Sequence, residues 1–240
     1  MSLKNYKIIA LSDTHGKFPI IDVPFDLLLL GGDLVNLYLQ RDISESCDWF
    51  MNGFVNWINL MPFKDENSKV LWIAGNHEVG WSKMLPEGRQ KIATNVTEKT
   101  NGRAIYLEDQ LYDFNGIKIY GTPWCKIFGN WGFMLNDEAL NRKFSQIPEN
   151  IDILLTHDAP YGTSDLCFGW KAWGRTPYHI GNEPLRDAIL EKNPKYNIHG
   201  HLHSANHEEE LLGNTSVYCV SLVDEGYNTA YPPLQIEIMK

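Results

Sequence analysis

Five short apolar runs each stop at residues able to hold a metal, and no other feature constrains the chain as much. Leu27-Leu28-Leu29-Leu30 is closed by Gly31-Gly32 and followed at once by Asp33. Such a run is too short for a helix and predicts a strand buried on both faces. Tyr6 to Ser12 leads to Asp13 and His15, and Lys69 to Ala74 leads to Gly75-Asn76-His77-Glu78. Ile151 to Thr156 leads to His157, and Tyr196 to Gly200 leads to His201 and His203. In open α/β sheets ligands gather beyond the carboxyl ends of the strands. The pattern therefore predicts carboxylates, an amide and imidazoles brought together at one end of a sheet, with Asp33 as the hub. Each block alone is weak. Together they point to a metal site, because burying such a set without a cation would strand charge and polar atoms at a cost of several kcal/mol.

Between these runs the sequence predicts ordinary α/β elements. Asp42 and Glu45 form a capping-box pattern ahead of a helix to about Met61, with Ile43, Cys47, Phe50, Phe54, Trp57, Ile58 and Met61 on one face. Residues 81–101 read as an irregular loop around Pro86 and Gly88, then a short helix. Ala104 to Leu107 reads as a strand, and Asn115-Gly116 predicts a type I′ hairpin between 111–114 and 117–120. A helix is expected from Asp137 to about Phe144 and another capped by Asn182. Glu208 to Leu212 and Val217 to Leu222 read as paired strands, and Leu234 to Ile238 as the last one. At 240 residues, with no repeat, low-complexity tract or linker, one domain over 1–240 is the economical reading.

Composition narrows the classes. Met1 leads almost directly into the first strand, leaving no room for a leader peptide, and no apolar run approaches the roughly 20 residues that span a bilayer. Cys47, Cys125, Cys167 and Cys219 are scattered, which suits reduced thiols in a cytoplasmic protein rather than a disulfide framework or zinc knuckle. A net charge of −9 argues against holding a nucleic-acid polymer. It is compatible with a small phosphorylated substrate, since bound metals supply local positive charge. The oligomeric state is left open.

Asp13-x-His15, Gly32-Asp33, Gly75-Asn76-His77-Glu78, His157 and Gly200-His201-x-His203 together resemble the blocks of the calcineurin-like metallophosphoesterase superfamily, in its order. The resemblance implies an α/β fold, a four-layer αββα sandwich of two mixed sheets flanked by helices. It also implies two divalent metal ions about 3.5–4 Å apart. By the same motifs, Asp13, His15 and His203 would hold one metal, Asn76, His157 and His201 the other, and Asp33 would bridge them. His77 would be the catalytic histidine that is not a ligand, with Glu78 either orienting it or capping a helix. Carboxylate, amide and imidazole ligands suit manganese, iron, zinc or nickel, with manganese favoured.

The resemblance also implies the chemistry. Coordination lowers the pKa of a bound water towards roughly 7, and the resulting hydroxide attacks phosphorus in line. The protein serine/threonine phosphatases place an arginine in a Gly-Asp-x-x-Asp-Arg-Gly block, but here Asp33 is followed by Leu34-Val35-Asn36-Leu37-Tyr38. Asn36 also stands where purple acid phosphatases place a tyrosine. Gly121-Thr122-Pro123-Trp124, Leu155 to Pro160 and the Tyr227 to Pro233 region instead resemble the branch called metallophosphoesterase domain-containing proteins. A phosphodiesterase acting on a small diester, such as a nucleotide or cyclic nucleotide, is therefore expected. The alternatives are a phosphomonoesterase of the same fold and a non-catalytic metal-binding scaffold. Two aromatic loops, 122–135 and 166–178, would then supply a wall of Trp124, Trp131, Trp170 and Trp173 against which a base stacks, or else a hydrophobic cluster under long loops. Arg175 and His179 are candidates to touch phosphate. His199 is expected to pack within its strand and His207 to sit on a solvated turn.

Overall fold

The computed structural model describes residues 3–167 and 177–240. The strands are β1 (Asn5–Leu11), β2 (Leu27–Leu30), β3 (Lys69–Trp72), β4 (Ala104–Tyr106), β5 (Gln110–Phe114), β6 (Ile117–Thr122), β7 (Cys125–Lys126), β8 (Met134–Leu135), β9 (Ile153–Thr156), β10 (Leu166–Cys167), β11 (Tyr178–His179), β12 (Tyr196–His199), β13 (Glu210–Leu212), β14 (Thr215–Cys219) and β15 (Leu234–Met239). The helices are α1 (Ile43–Trp49), α2 (Val55–Asn59), α3 (Val79–Ser82), α4 (Pro86–Lys99), α5 (Asp137–Phe144) and α6 (Glu183–Lys192).

One sheet runs β15-β1-β2-β3-β4 and the other β13-β14-β12-β9-β6-β5. Within the first, β1 to β4 are parallel and β15 is antiparallel. Within the second, β6, β9, β12 and β14 are parallel, with antiparallel β5 and β13 at the edges. Strand alternation divides the core. Leu27, Leu29, Ile8, Ala10, Leu71 and Ile73 face Ile119, Ile153, Leu155 and Ile198 between the sheets. Leu28, Leu30, Ile9, Leu11, Val70 and Trp72 turn outward to α1, α2 and α4, and Tyr120 and Leu154 turn outward to α5 and α6. The four leucines are fully buried because β2 lies inside its sheet with both faces covered. The αββα sandwich is as expected.

Three local expectations need correction. The predicted helix from Asp42 to Met61 is not one α-helix: a π-helical turn, Phe50–Phe54, separates α1 from α2. That turn lets Phe50 and Phe54 both reach the buried cluster of Trp72 and Trp81, with Phe50 4.5 Å from Trp81 and stacked on it. Asp42 Oδ1 accepts from Glu45 N at 2.9 Å, but the Asp42 N–H donates to the Leu39 carbonyl, so the reciprocal half of the capping box is not made. Finally, Pro86 and Gly88 are not loop residues. Pro86 opens α4, at the first-turn position where its missing N–H costs nothing.

Candidate metal centre

Every predicted ligand lies just beyond the carboxyl end of a parallel strand: Asp13 and His15 after β1, Asp33 after β2, Asn76 after β3, His157 after β9, His201 and His203 after β12. The sheets meet at this end. Ser12 bridges to Ser221, its N–H donating to the Val220 carbonyl at 2.8 Å while its own carbonyl accepts from Leu222 N at 2.9 Å. Gly75 and Gly200 permit the approach, since a Cβ at Gly75 would overlap Asp33 and His157, and one at Gly200 would overlap Ser12 and Asp13.

The backbone here is unusual. Asp13, His15, Asp33 and His201 have φ of 55°, 46°, 52° and 69°, a left-handed region that non-glycine residues seldom occupy and that clusters at functional sites. Interlocking loops hold it: Asp13 N donates to Gly32 O, His15 N to Asp33 O and Gly16 N to Leu34 O, all at 2.8–3.0 Å. Beneath them lies Glu78. Its Oε1 accepts from Leu34 N and Val35 N at 2.8 and 2.9 Å, and its Oε2 from Asp33 N and Gly75 N at 3.0 and 2.6 Å. Burial, with the charge of Asp33 added, pushes this carboxyl up to about 7, against the pull of the Val35 and Gly75 N–H groups. Glu78 therefore neither orients His77 nor caps α3 with its side chain; it clamps two ligand loops together.

Two groups of donor atoms converge. In the first, His203 Nε2 lies 3.5 Å from Asp13 Oδ1 and 3.4 Å from His15 Nε2. In the second, His157 Nε2 lies 3.0 Å from Asn76 Oδ1 and 3.3 Å from Asp33 Oδ1. Asp33 stands between, its Oδ2 3.8 Å from His77 Nε2. The His201 imidazole does not join either close group. Its ring lies 5.2 Å from that of His157 and borders the cleft, while its backbone N–H donates to Asp13.

The set fits divalent metal. Asp13 and Asp33 are buried, and among the described residues no lysine or arginine pairs with either. His157 Nδ1 is 2.7 Å from the Gly31 carbonyl and His203 Nδ1 is 3.1 Å from the Asp224 carbonyl. A carbonyl only accepts, so each Nδ1 carries hydrogen and each Nε2 is aimed into the cluster, the usual outer support of metal-ligating histidine. Two imidazole nitrogens of His15 and His203 face each other, and His15 Nδ1 is buried with no partner among the described residues. Burial holds His15 down at about 4, partly offset by Asp33 and Asp13, so it is neutral and can donate a lone pair. Burial would also lower His157, but the charge of Asp33 and its hydrogen bond outweigh that and push it to about 10. Against the desolvation that would raise it, Asp13 is held well below the usual carboxylate range by its hydrogen bond with His203 and the charge of His157.

The cleft above the cluster, about 210 Å³, is lined by Asn76, His77, His201 and His203 together with Phe128, Trp131, Glu225 and Tyr227. A larger groove of about 480 Å³ beside α2 has, among the described residues, no ionisable side chain in its lining and lies apart from this chemistry. Trp131 packs 4.5 Å from His77, but Trp124 does not enter the cleft; its indole N–H binds Asp109 and its ring packs on Phe133. Phe168, Trp170, Lys171, Trp173 and Arg175 lie outside the described residues. His179 pairs with Asp165 through Nδ1 at 2.5 Å. His199 is buried in β12 as expected, whereas His207 is half-buried, its ring stacked on Tyr231, rather than solvated. Among the residues that the sequence did not single out are Gln40, whose Oε1 meets His77 Nδ1, and Ser221, whose hydroxyl donates to Asp13 at 2.6 Å. Neither stands in a recognisable block.

This sandwich, with its donors at the shared strand ends, is a phosphoesterase architecture. A model of the calcineurin-like phosphoesterase family matches residues 6–205, and the chain belongs to that family. More particularly, it is similar to human metallophosphoesterase domain-containing protein 1, 27% identical over 97% of this chain and 71% of that one. A UPF0046 protein of Caenorhabditis elegans is 30% identical over 97% of this chain and 80% of its own. Among solved structures, TT1561 of Thermus thermophilus covers 90% of this chain with 89% of its own, at a TM-score of 0.60 and 14% identity. The phosphopantetheinyl hydrolase of Mycobacterium tuberculosis covers 96% with 95%, at 0.54 and 14%. Those two likenesses speak to fold. The chain is thus a metal-dependent hydrolase of phosphoric esters.

Proposed function

We propose that the enzyme is a phosphodiesterase with a two-metal centre, acting on a small diester such as a nucleotide or cyclic nucleotide. Asp13, His15 and His203 would hold one ion, Asn76, His157 and His201 the other, with Asp33 bridging and manganese the favoured metal. When bound, the metals supply a water activated near neutral pH and positive charge for the phosphoryl oxygens. The observation that carries the diester reading is the charge of the cleft. Among the described residues no lysine or arginine lines it, while Glu225 does, so none of those residues offers an ammonium or guanidinium to the second negative charge of a monoester. A diester carries one. His77 Nε2 faces this space and would protonate the leaving oxygen, help typically worth about 10²–10⁴-fold. Phe128, Trp131 and Tyr227 offer apolar faces to a base, where stacking is worth about 1–3 kcal/mol.

The test is turnover of bis-p-nitrophenyl phosphate against p-nitrophenyl phosphate by protein stripped of metal and reloaded with manganese, with metal content counted in the same samples. A metal-dependent preference for the diester at about two equivalents is expected. Preference for the monoester would replace this reading with the phosphatase; two bound metals without turnover of any diester would replace it with the scaffold.

A further inference from the structure

We propose that Gln40 is a positioning residue that decides which nitrogen of His77 carries hydrogen, so that Nε2 is the one presented to the cleft. Two hydrogen bonds carry the inference. The Gln40 amide nitrogen donates to the Leu37 carbonyl at 2.7 Å, and its Oε1 lies 2.5 Å from His77 Nδ1. A carbonyl can only accept, so the amide nitrogen must face Leu37; reversed, Gln40 would set two acceptor oxygens against each other. Its own oxygen is thereby committed to His77 and also only accepts. His77 Nδ1 must donate, and Nε2, 3.8 Å from Asp33 Oδ2, is left to the cleft.

Gln40 is itself held. Its carbonyl accepts from Gly80 N at 2.7 Å, and a Cβ at Gly80 would fall 2.6 Å from the Asp42 carbonyl oxygen, so glycine is what lets α3 come this close. Packing then confines the imidazole ring between Trp131, at 4.5 Å, and His15, at 4.7 Å.

The consequence for catalysis rests on the acid role proposed above. In that step His77 acts as the imidazolium, with hydrogen on both nitrogens: the Nε2–H bond breaks and its proton passes to the leaving oxygen, while the P–O bond breaks and leaves its electron pair on that oxygen. His77 is left neutral with its hydrogen on Nδ1, the form whose N–H Gln40 accepts. Without that acceptor nothing makes the Nε2 proton the one given up. Being neutral, glutamine aims the ring without placing a second carboxylate behind it.

The experiment compares the full chain with Gln40→Leu, which removes the acceptor, and Gln40→Glu, which retains one. Nitrogen-15 NMR of histidine-labelled, chelator-treated protein, with His77 identified by its loss in His77→Ala, reads the tautomer without turnover. Wild type and Gln40→Glu should show Nδ1–H, and Gln40→Leu a shift towards Nε2–H. With manganese bound, Gln40→Leu should lose about 10–100-fold in kcat on a diester with an alkyl leaving group. It should change far less on bis-p-nitrophenyl phosphate, with KM and metal content unchanged. An unaltered His77 tautomer in Gln40→Leu would overturn the proposal, as would equal losses on both leaving groups. A shifted tautomer with both rates intact would support the positioning role and sink the acid role of His77 instead.

Discussion

The two ends of the sandwich bury carboxylates in opposite ways. At the amino end, Asp26 precedes β2 and Asp152 precedes β9, and each accepts a neighbouring backbone N–H at 2.9 Å, from Lys7 and Lys118. Each also meets an ammonium from the chain: Lys64 at 2.8 Å for Asp26, Lys195 and Lys240 at 2.9 and 2.8 Å for Asp152. At the carboxyl end, Asp13 and Asp33 are just as buried, but imidazoles, the Ser221 hydroxyl and backbone N–H groups are what reach them. The same group is completed from within at one end and left for an outside cation at the other.

Substitutions at the two ends should therefore differ in kind as well as size. Asp33→Asn should keep the fold, bind fewer metal equivalents and lose at least about 10²–10³-fold in kcat, the scale of removing one electrostatic stabiliser; full metal content with normal turnover would break the comparison. Glu78→Gln comes next. An amide nitrogen cannot accept the two N–H groups that one carboxylate oxygen now takes, and stranding each costs about 1–3 kcal/mol. Urea unfolding should report that loss, and metal titration a weaker affinity. Equal stability to wild type would mean the clamp is dispensable.

Asp152→Asn should have the smallest effect, about 1–2 kcal/mol of stability, because Lys195 is 63% exposed and its pairing is screened. Activity should not change. Burial raises Asp152, but the hydrogen bond from Lys240, the Lys118 N–H and Lys195 together hold it below its ordinary value of 3.8. A lowered folded pKa gives stability that is present above 3.8 and lost as pH falls through the folded value. The gap between wild type and Asp152→Asn should thus be full at neutral pH and close in acid. A gap that grows in acid would show that the ion pairs are not its source.

The sequence disclosed the strands best, because each central one is a short apolar run that ends at a polar residue, and β2, β3, β9 and β12 all stop within two residues of where that change predicts. It placed the candidate donors beyond the strand ends for the same reason. What it hid depends on contacts between distant segments. The π-helical turn at Phe50–Phe54 leaves the helical spacing of apolar residues nearly intact while moving Phe54 towards Trp72. Glu78 reads as a helix-start acid until the loops at 33–35 are folded over it. Gln40 sits seven residues after Asp33 in a turn without periodicity, and only the Leu37 carbonyl on one side and His77 on the other give its amide a direction.

The bridge between Ser12 and Ser221 lies at the same end as the metal centre. Asp13, His15, Asp33, Asn76 and His77 all precede residue 80, while His157, His201 and His203 come only after residue 156. A chain emerging from a ribosome holds half a centre long before the other half exists, and the inner face of its first sheet waits uncovered for the second. The edge strand β15, paired with β1, is made after β14. Occupancy of the centre is in this sense a record of completed assembly.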